Sequence, residues 1–365
     1  MIPRFILIGG FLGAGKSTTV ARLAKHFTSQ GLKVGIVTND QTTDLVDTHS
    51  LRSQGFDVGE VAGACFCCSF NELTQTVDEL TKAQLPDVII AEPVGSCTDL
   101  VATVIRPLQS VYEMPLDIAP YGVILKPSHG LRILSGEQSG GFSPKAEYIF
   151  RKQIEEADFV IINRIDELAE DKVSRLADLI QQQYPGRRVI RMSAKTGQGF
   201  DAYVEFLKQQ GQFGSRVMEV DYDIYAEGEA ELGWLNCQFH FATNSAIALD
   251  ALLTNLVSSL QSRLTTERAE IAHLKAIGMA DGNYAVANSV SSFTDCELSL
   301  ASRADVTRAD VVVNARVAID PSRLELIVRE QIGATCKQFG GSATIDTLQS
   351  FRPGRPIPTH RIPVS

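Results

Sequence analysis

The chain has 365 residues, 44% of them hydrophobic and 21% charged, a length for about two ordinary globular domains and a composition that excludes a disordered or fibrous chain. Its net charge of −9 argues against a broad nucleic-acid-binding face, and no nucleic-acid motif occurs. No segment approaches the ~20 apolar residues of a membrane span, so a cytoplasmic chain with neither membrane nor nucleic-acid partners is expected. The cysteines number seven, with Cys97, Cys237, Cys296 and Cys336 scattered singly and Cys65, Cys67 and Cys68 gathered together, which is no disulfide framework. In a reducing compartment such a cluster points to metal or redox chemistry.

The first predicted element is a strand over 4–8. The arginine and short apolar run of MIPRFILIGGFLGA outline a signal peptide, but the run leads into a glycine-rich loop rather than a cleavage site. Gly10 to Ser17 fits G-x-x-x-x-G-K-[ST], followed by helical spacing at Val20, Leu23, Ala24 and Phe27. Gly10, Gly13 and Gly15 let the backbone curl with its N–H groups inward, and Ala14 and Thr18 complete the cradle at the helix N-terminus. Lys16 is expected to reach the outer phosphates and Ser17 to ligate Mg²⁺.

Further strands are predicted at 33–38, 57–62, 87–91, 121–126, 158–163 and 188–193, with helices between most of them, among them NELTQTVDELTKA and EYIFRKQIEEA. That alternation predicts a mainly parallel α/β sheet flanked by helices, a P-loop NTPase, with its loops clustered at the carboxyl edge. HGLRILSGEQSGGFSP reads as a polar, glycine-rich excursion. Glu92 closes the strand PDVIIAE, where an outer-shell Mg²⁺ ligand or water-orienting carboxylate belongs, and Gly95 follows, placed to meet a γ-phosphate with its N–H. Asn163-Arg164-Ile165-Asp166 ends the next-to-last strand. It is a variant of the guanine motif Asn-Lys-x-Asp, in which the aspartate accepts from guanine N1–H and the exocyclic amine. Ser193-Ala194-Lys195 ends the last strand as the loop that covers guanine O6. In this order behind a phosphate loop, these segments predict GTP.

GGFLGAGKST, CFCC, EPVG, NRID and SAKTG together resemble the GTPases of metal homeostasis, the CobW type, and more distantly the hydrogenase and urease nickel-insertion GTPases. The resemblance covers residues 4 to 210. It implies a GTP-hydrolysing metallochaperone or metal-insertion factor for Zn²⁺, with Co²⁺ or Ni²⁺ as alternatives, acting on a client metalloprotein. By position Asp40 is similar to the family acid near Mg²⁺ and the transition metal, which gives it a place with Lys16 and Glu92 in catalysis. The sequence here, Thr38-Asn39-Asp40, departs from the family's Asn-Glu-Phe-Gly, and Lys126-Pro127-Ser128 stands where the family has an acid. No arginine finger is encoded in these motifs, so slow turnover is expected without a client.

Cys65 and Cys67, on one side of an extended backbone with Cys68 beside them, are expected to converge on one soft cation and leave a fourth tetrahedral position open. The competing reading is a permanent zinc clip in a GTP-gated switch that protects or activates a cofactor-dependent client enzyme. Cys97 reads as a small buried side chain, or as a fourth thiolate if the loops fold together.

A GTPase domain over 1–212 is expected to precede a C-terminal domain over 213–351 and a Pro/Arg-rich tail over 352–365. ELGWLNCQFHF reads as a strand, and NSAIALDALLTNLVSSLQSRL as a helix with Ile247, Leu252, Leu256, Leu260 and Leu264 on one stripe. A hairpin turning at Asp281-Gly282 follows, then ADVVVNARVAI as a strand, SRLELIVREQI as a helix and SATIDTLQSF as a strand. This βαββαβ order with one extra strand predicts a small α+β sandwich of ferredoxin-like type. His240 and His273 read as hydrogen-bonded strand histidines and Trp234 as packing. The tail reads as either a solvated end or a docking strap. Homo-oligomerisation is left open.

Overall fold

A computed structural model describes residues 2–39, 46–136, 143–290 and 295–363. The chain forms two compact units, one of residues Met1–Thr43, Gly55–Gly228 and Arg355–Ser365, the other of Asp44–Gln54 and Glu229–Gly354.

In the first unit, strands β1 (Arg4–Gly10), β2 (Val34–Asn39), β3 (Asp57–Val61), β4 (Val88–Glu92), β5 (Asp117–Ile118), β6 (Gly122–Leu125), β7 (Phe159–Ile162) and β8 (Arg188–Arg191) form one sheet. Its order is β3-β2-β4-β1-β6-β7-β8, with β5 also beside β1, and every pairing is parallel. The inner strands β2, β4, β6 and β7 are buried along their whole length, as apolar runs covered on both faces must be. The flanking helices are α1 (Lys16–Ser29), α3 (Phe70–Gln84), α4 (Arg106–Ser110), α5 (Pro127–Ser135), α6 (Pro144–Glu156), α7 (Glu170–Gln183) and α8 (Phe200–Leu207). A shorter α2 (Val46–Arg52) belongs to the second unit, and α9 (Tyr222–Ala230) runs across the unit boundary. Helix α6 shows how the sequence sets an end: Ser143 accepts from the N–H groups of Lys145 and Ala146, and Pro144 sits where no N–H is needed.

The segment expected to be an irregular excursion after β6 is instead helical over α5, and residues 137–142 lie outside the described residues. Pro127 opens the helix rather than breaking it. A Cβ on Gly130 would come within 3.0 Å of Leu176 on α7, so that glycine serves close helix packing.

The second unit carries β9 (Gly233–Ala248), α10 (Leu249–Thr266), β10 (Ile271–Ala280), β11 (Asn283–Ser289), β12 (Glu297–Leu300), β13 (Asp305–Val317), α11 (Pro321–Gln338) and β14 (Gly341–Phe351). The antiparallel order β10-β13-β9-β14 is that of a ferredoxin-like sheet. β11 and β12 extend it beyond β10, two added strands where the sequence suggested one. Ala280 pairs with Asn283 across Asp281 and Gly282, both at positive φ, as the tightest hairpin turn requires. Leu252, Leu256, Leu260 and Leu264 bury the α10 stripe under the sheet as expected, but Ile247 stands at the end of β9 because the strand runs on to Ala248. Helix α2 packs on β10 and β13, and its Leu51 is buried.

Candidate nucleotide and thiol site

The phosphate loop leaves β1 between β4 and β6, at the middle of the sheet and at its carboxyl edge. The loop holds Gly10, Gly13 and Gly15 at φ 138°, 72° and 91°. At Gly10 a Cβ would lie 2.4 Å from the Ile124 carbonyl oxygen, and at Gly15 2.5 Å from Asn163 Nδ2, so glycine is required by space as well as by conformation. Lys16 is buried at the start of α1, and a Cβ on Gly95 would stand 3.0 Å from its Nζ, so Glu92–Gly95 lies directly beside the lysine. Ser17 Oγ donates to Glu92 Oε1 at 2.9 Å. A hydroxyl and a carboxylate oxygen brought together beside a phosphate cradle are the hard oxygen donors that suit Mg²⁺.

Asn163 follows β7 and is buried. Its Nδ2 donates to the Ala14 carbonyl at 2.8 Å and its Oδ1 accepts from Ala194 N–H at 2.8 Å, so one side chain ties the phosphate loop to the Ser193–Lys195 loop. From α1, Arg22 donates to the Ala194 carbonyl and, at 2.7 Å, to that of Lys195. Ser193 is buried, while Asp166 and Lys195 are exposed. Arg164, at φ 59°, is engaged by Glu167 at 2.6 Å. Asp40 lies outside the described residues. Its neighbour Asn39 ends β2, whose Thr38 pairs with Glu92.

Asn39 was not singled out from sequence. Its Nδ2 donates to the carbonyls of Val61 and Ala64 at 2.9 and 2.8 Å, and its Oδ1 accepts from Phe66 N–H at 2.9 Å, so it clamps the cysteine loop. That loop is not extended as expected: the N–H groups of Cys68 and Ser69 both reach the Cys65 carbonyl at 2.9 Å, forming a turn that leads into α3. The turn still brings the thiols together, with Sγ separations of 3.0 Å (Cys65–Cys67), 3.2 Å (Cys65–Cys68) and 3.7 Å (Cys67–Cys68). A tetrahedral zinc thiolate has sulfurs about 3.8 Å apart, from Zn–S bonds of about 2.3 Å, so each separation needs to open by less than about 1 Å. Hydrogen bonding with Cys67 and then with Cys68 holds the Cys65 thiol well below its usual pKa. Cys67 is raised well above its usual value and Cys68 to about 11, both first through their bonds to Cys65. The cluster therefore carries its first negative charge on Cys65, just before the N-terminus of α3.

Cys97 is buried, as the simpler sequence reading has it, and the thiols gathered within 4.8 Å of one another are those of Cys65, Cys67 and Cys68. Gln153, buried on α6, fixes this loop by donating to the carbonyls of Gly95 and Cys97 at 3.1 and 2.9 Å. Neither contact has a local sequence signal, since each joins segments far apart in the chain. In the second unit His240 lies 2.5 Å from Asp310 and 2.6 Å from Asp346, a surface histidine held between two carboxylates. Trp234 is buried with the Arg316 guanidinium 4.1 Å from its ring centre. No helix among the described residues is long and apolar enough to cross a membrane.

A parallel sheet with a glycine-rich phosphate loop after β1 and a base loop after its last strand defines a P-loop nucleotide-binding protein. The chain belongs to the CobW/HypB/UreG family: the profile of that family's nucleotide-binding domain matches residues 4–191. It is 29% identical over 196 residues to the zinc chaperone YeiR of Escherichia coli (strain K12), covering 52% of this chain and 55% of that one. To the zinc chaperone CobW of Sinorhizobium sp it is 25% identical over 185 residues, covering 48% of each. This chain thus spans about half the length of the relatives it matches. Among solved structures, the Zn(II)-bound YjiA GTPase from E. coli is 13% identical, over 91% of this chain and 99% of that one, with a TM-score of 0.39.

Proposed function

We propose that the chain binds and hydrolyses GTP and uses that cycle to hand a thiophilic cation, zinc before cobalt or nickel, to a client metalloprotein. The observation that carries this reading is the convergence of three thiols, Cys65, Cys67 and Cys68, on a loop clamped by Asn39, the last residue of the strand β2 whose Thr38 pairs with Glu92. A strand end beside Glu92 is then fastened to the loop that carries the thiols. The relatives named as zinc chaperones support the choice of metal.

In this reading Gly10, Gly13, Ala14, Gly15 and Thr18 wrap the phosphates, and the Gly95 N–H meets the γ-phosphate. Lys16 neutralises charge developing on the outer phosphates, and Asn163, Asp166 and Ser193–Lys195 select guanine. Ser17 and Glu92, with Asp40 by position, would hold Mg²⁺ directly or through water, and the ion would supply charge neutralisation at the phosphates. Glu92 also orients the attacking water. Cys65, Cys67 and Cys68 hold the cargo.

A second reading, a permanent zinc clip in a GTP-gated switch, is favoured by the burial of Cys65 and Cys67, only 3% and 1% exposed. Competition against a zinc chelator with Mg²⁺ and a non-hydrolysable GTP analogue, then with GDP, separates the two. Delivery requires the affinities to differ by about 5- to 150-fold, and metal must shift nucleotide affinity by the same factor. Equal affinities in both states, or a difference that survives Cys67→Ser, would defeat it.

A further inference from the structure

The sequence leaves the proline-rich segment after Gly354 open between a solvated end and a strap; in the structure it docks, and it docks on the cysteines. Ile357 N–H donates to Cys68 Sγ at 3.3 Å, Thr359 N–H to the Cys67 carbonyl at 2.8 Å, and Thr359 Oγ1 to the Cys68 carbonyl at 2.9 Å. Farther on, Ile362 N–H reaches the Ala102 carbonyl at 2.9 Å, and the His360 ring stands edge-on to Phe70 with centroids 5.2 Å apart. Arg361 closes the attachment, its Nε donating to Asp99 Oδ2 at 2.7 Å and its NH2 group to the Met218 carbonyl at 2.8 Å.

Chain chemistry explains this conformation. Residues 357 and 359 point their N–H groups to the same side of an extended backbone, and the residue between them is Pro358, which has no N–H left to satisfy on the other side. Apolar burial is only part of the docking: Pro356 is buried and Pro358 and Ile362 are half-buried, but Ile357 is 74% exposed. What the segment aims at the thiol-bearing residues is polar. Its anchor is equally specific: Asp99 is 1% exposed, and burial pushes its carboxyl pKa up, so Arg361 and the Tyr222 hydroxyl, which donates at 2.7 Å, compensate a charge that water does not reach. Asp99 also lies on the loop that runs from Glu92 through Gly95 and Cys97, held at φ 63°.

We propose that Arg355–Ile362 is a strap that closes one side of the thiol site, locked by Arg361 on Asp99, and that a cation is passed to another protein through that side when the strap lifts. The proposal rests on the metal-handling reading above and adds its control. Ile357 N–H is a positioning contact: it stabilises negative charge on Cys68, and its loss weakens the site in the same direction as uncovering it.

The test uses the full chain, Arg361→Gln, and a chain ending at Gly354, each loaded with one equivalent of zinc. Transfer of zinc to a colorimetric chelator is followed by stopped flow, and amide exchange at Ile357 and Thr359 is measured by residue in the metal-free protein. Protected amides in the unmutated chain are expected. Arg361→Gln should exchange them and release zinc about tenfold faster or more, the lower end of what a hydrogen bond to a charged group is worth, and the shortened chain should release zinc at least as fast. Amides that exchange like a free peptide in the unmutated chain, or equal transfer rates in all three proteins, would overturn the strap while leaving the metal site standing. If the unmutated chain takes up no zinc, the metal reading falls and the gate falls with it, a result distinct from both.

Discussion

Asn163→Ala tests whether one buried amide holds the nucleotide site together. In the native chain its side chain makes two 2.8 Å hydrogen bonds, to the Ala14 carbonyl and from the Ala194 N–H, and all three residues are buried. Alanine leaves a buried carbonyl and a buried N–H without those partners, at about 1–3 kcal/mol each, so the nucleotide-free chain should lose about 2–6 kcal/mol of unfolding free energy. Trp234, the single tryptophan, sits in the second unit. The urea transition should therefore be followed by far-UV circular dichroism rather than by its fluorescence. GTP affinity should fall as well, because the phosphate loop and the base loop are no longer fastened to each other. A stability loss below about 1 kcal/mol would show that water already serves Ala14 and Ala194, and the fastening argument would be wrong.

Asp166 is exposed, so Asp166→Asn should leave stability within about 0.5 kcal/mol while moving nucleotide preference from guanine toward xanthine, read by competition binding. If the unmutated chain bound ATP and GTP equally, the guanine assignment would fail. Lys16→Ala should abolish GTP hydrolysis yet keep zinc stoichiometry at Cys65, Cys67 and Cys68, since phosphate and thiol ligands are different residues; calorimetric loss of zinc uptake in the folded variant would contradict this. Burial raises the Glu156 carboxyl well above the usual carboxylate range, so its folded pKa exceeds its unfolded value. That contribution is fully present below the unfolded pKa and is lost as pH rises through the folded one. Glu156→Gln should therefore flatten the fall in stability above about pH 4.5, measured as unfolding free energy against pH, and an unchanged slope would count against it.

The seven main strands of the first unit were legible because apolar runs between helical patterns have few other uses, and the phosphate loop because its spacing is a local geometric demand. β5 escaped because two residues carry no period. Helix α5 escaped because Pro127 and Gly130 look like breakers until Leu176 is seen to need the space of a missing Cβ. The convergence of Cys65, Cys67 and Cys68 was legible but its backbone was not. A period-two reading has no way to anticipate two N–H groups meeting on the Cys65 carbonyl. Asn39, Gln153 and Arg361 act on partners 22 to 262 residues away, beyond the reach of any spacing rule.

The threading of the two units has a practical side. The second unit draws residues 44–54 from between β2 and β3, and the first takes back residues 355–365 from beyond β14. No single cut separates them. A fragment stopping at Gly228 would strip the sheet from under α2 and leave the cysteine turn uncovered, and a fragment starting at Glu229 would lack the helix that packs on β10 and β13. The two are laced rather than strung in series, so a boundary drawn between Gly228 and Glu229 leaves part of each unit on the wrong side of the cut.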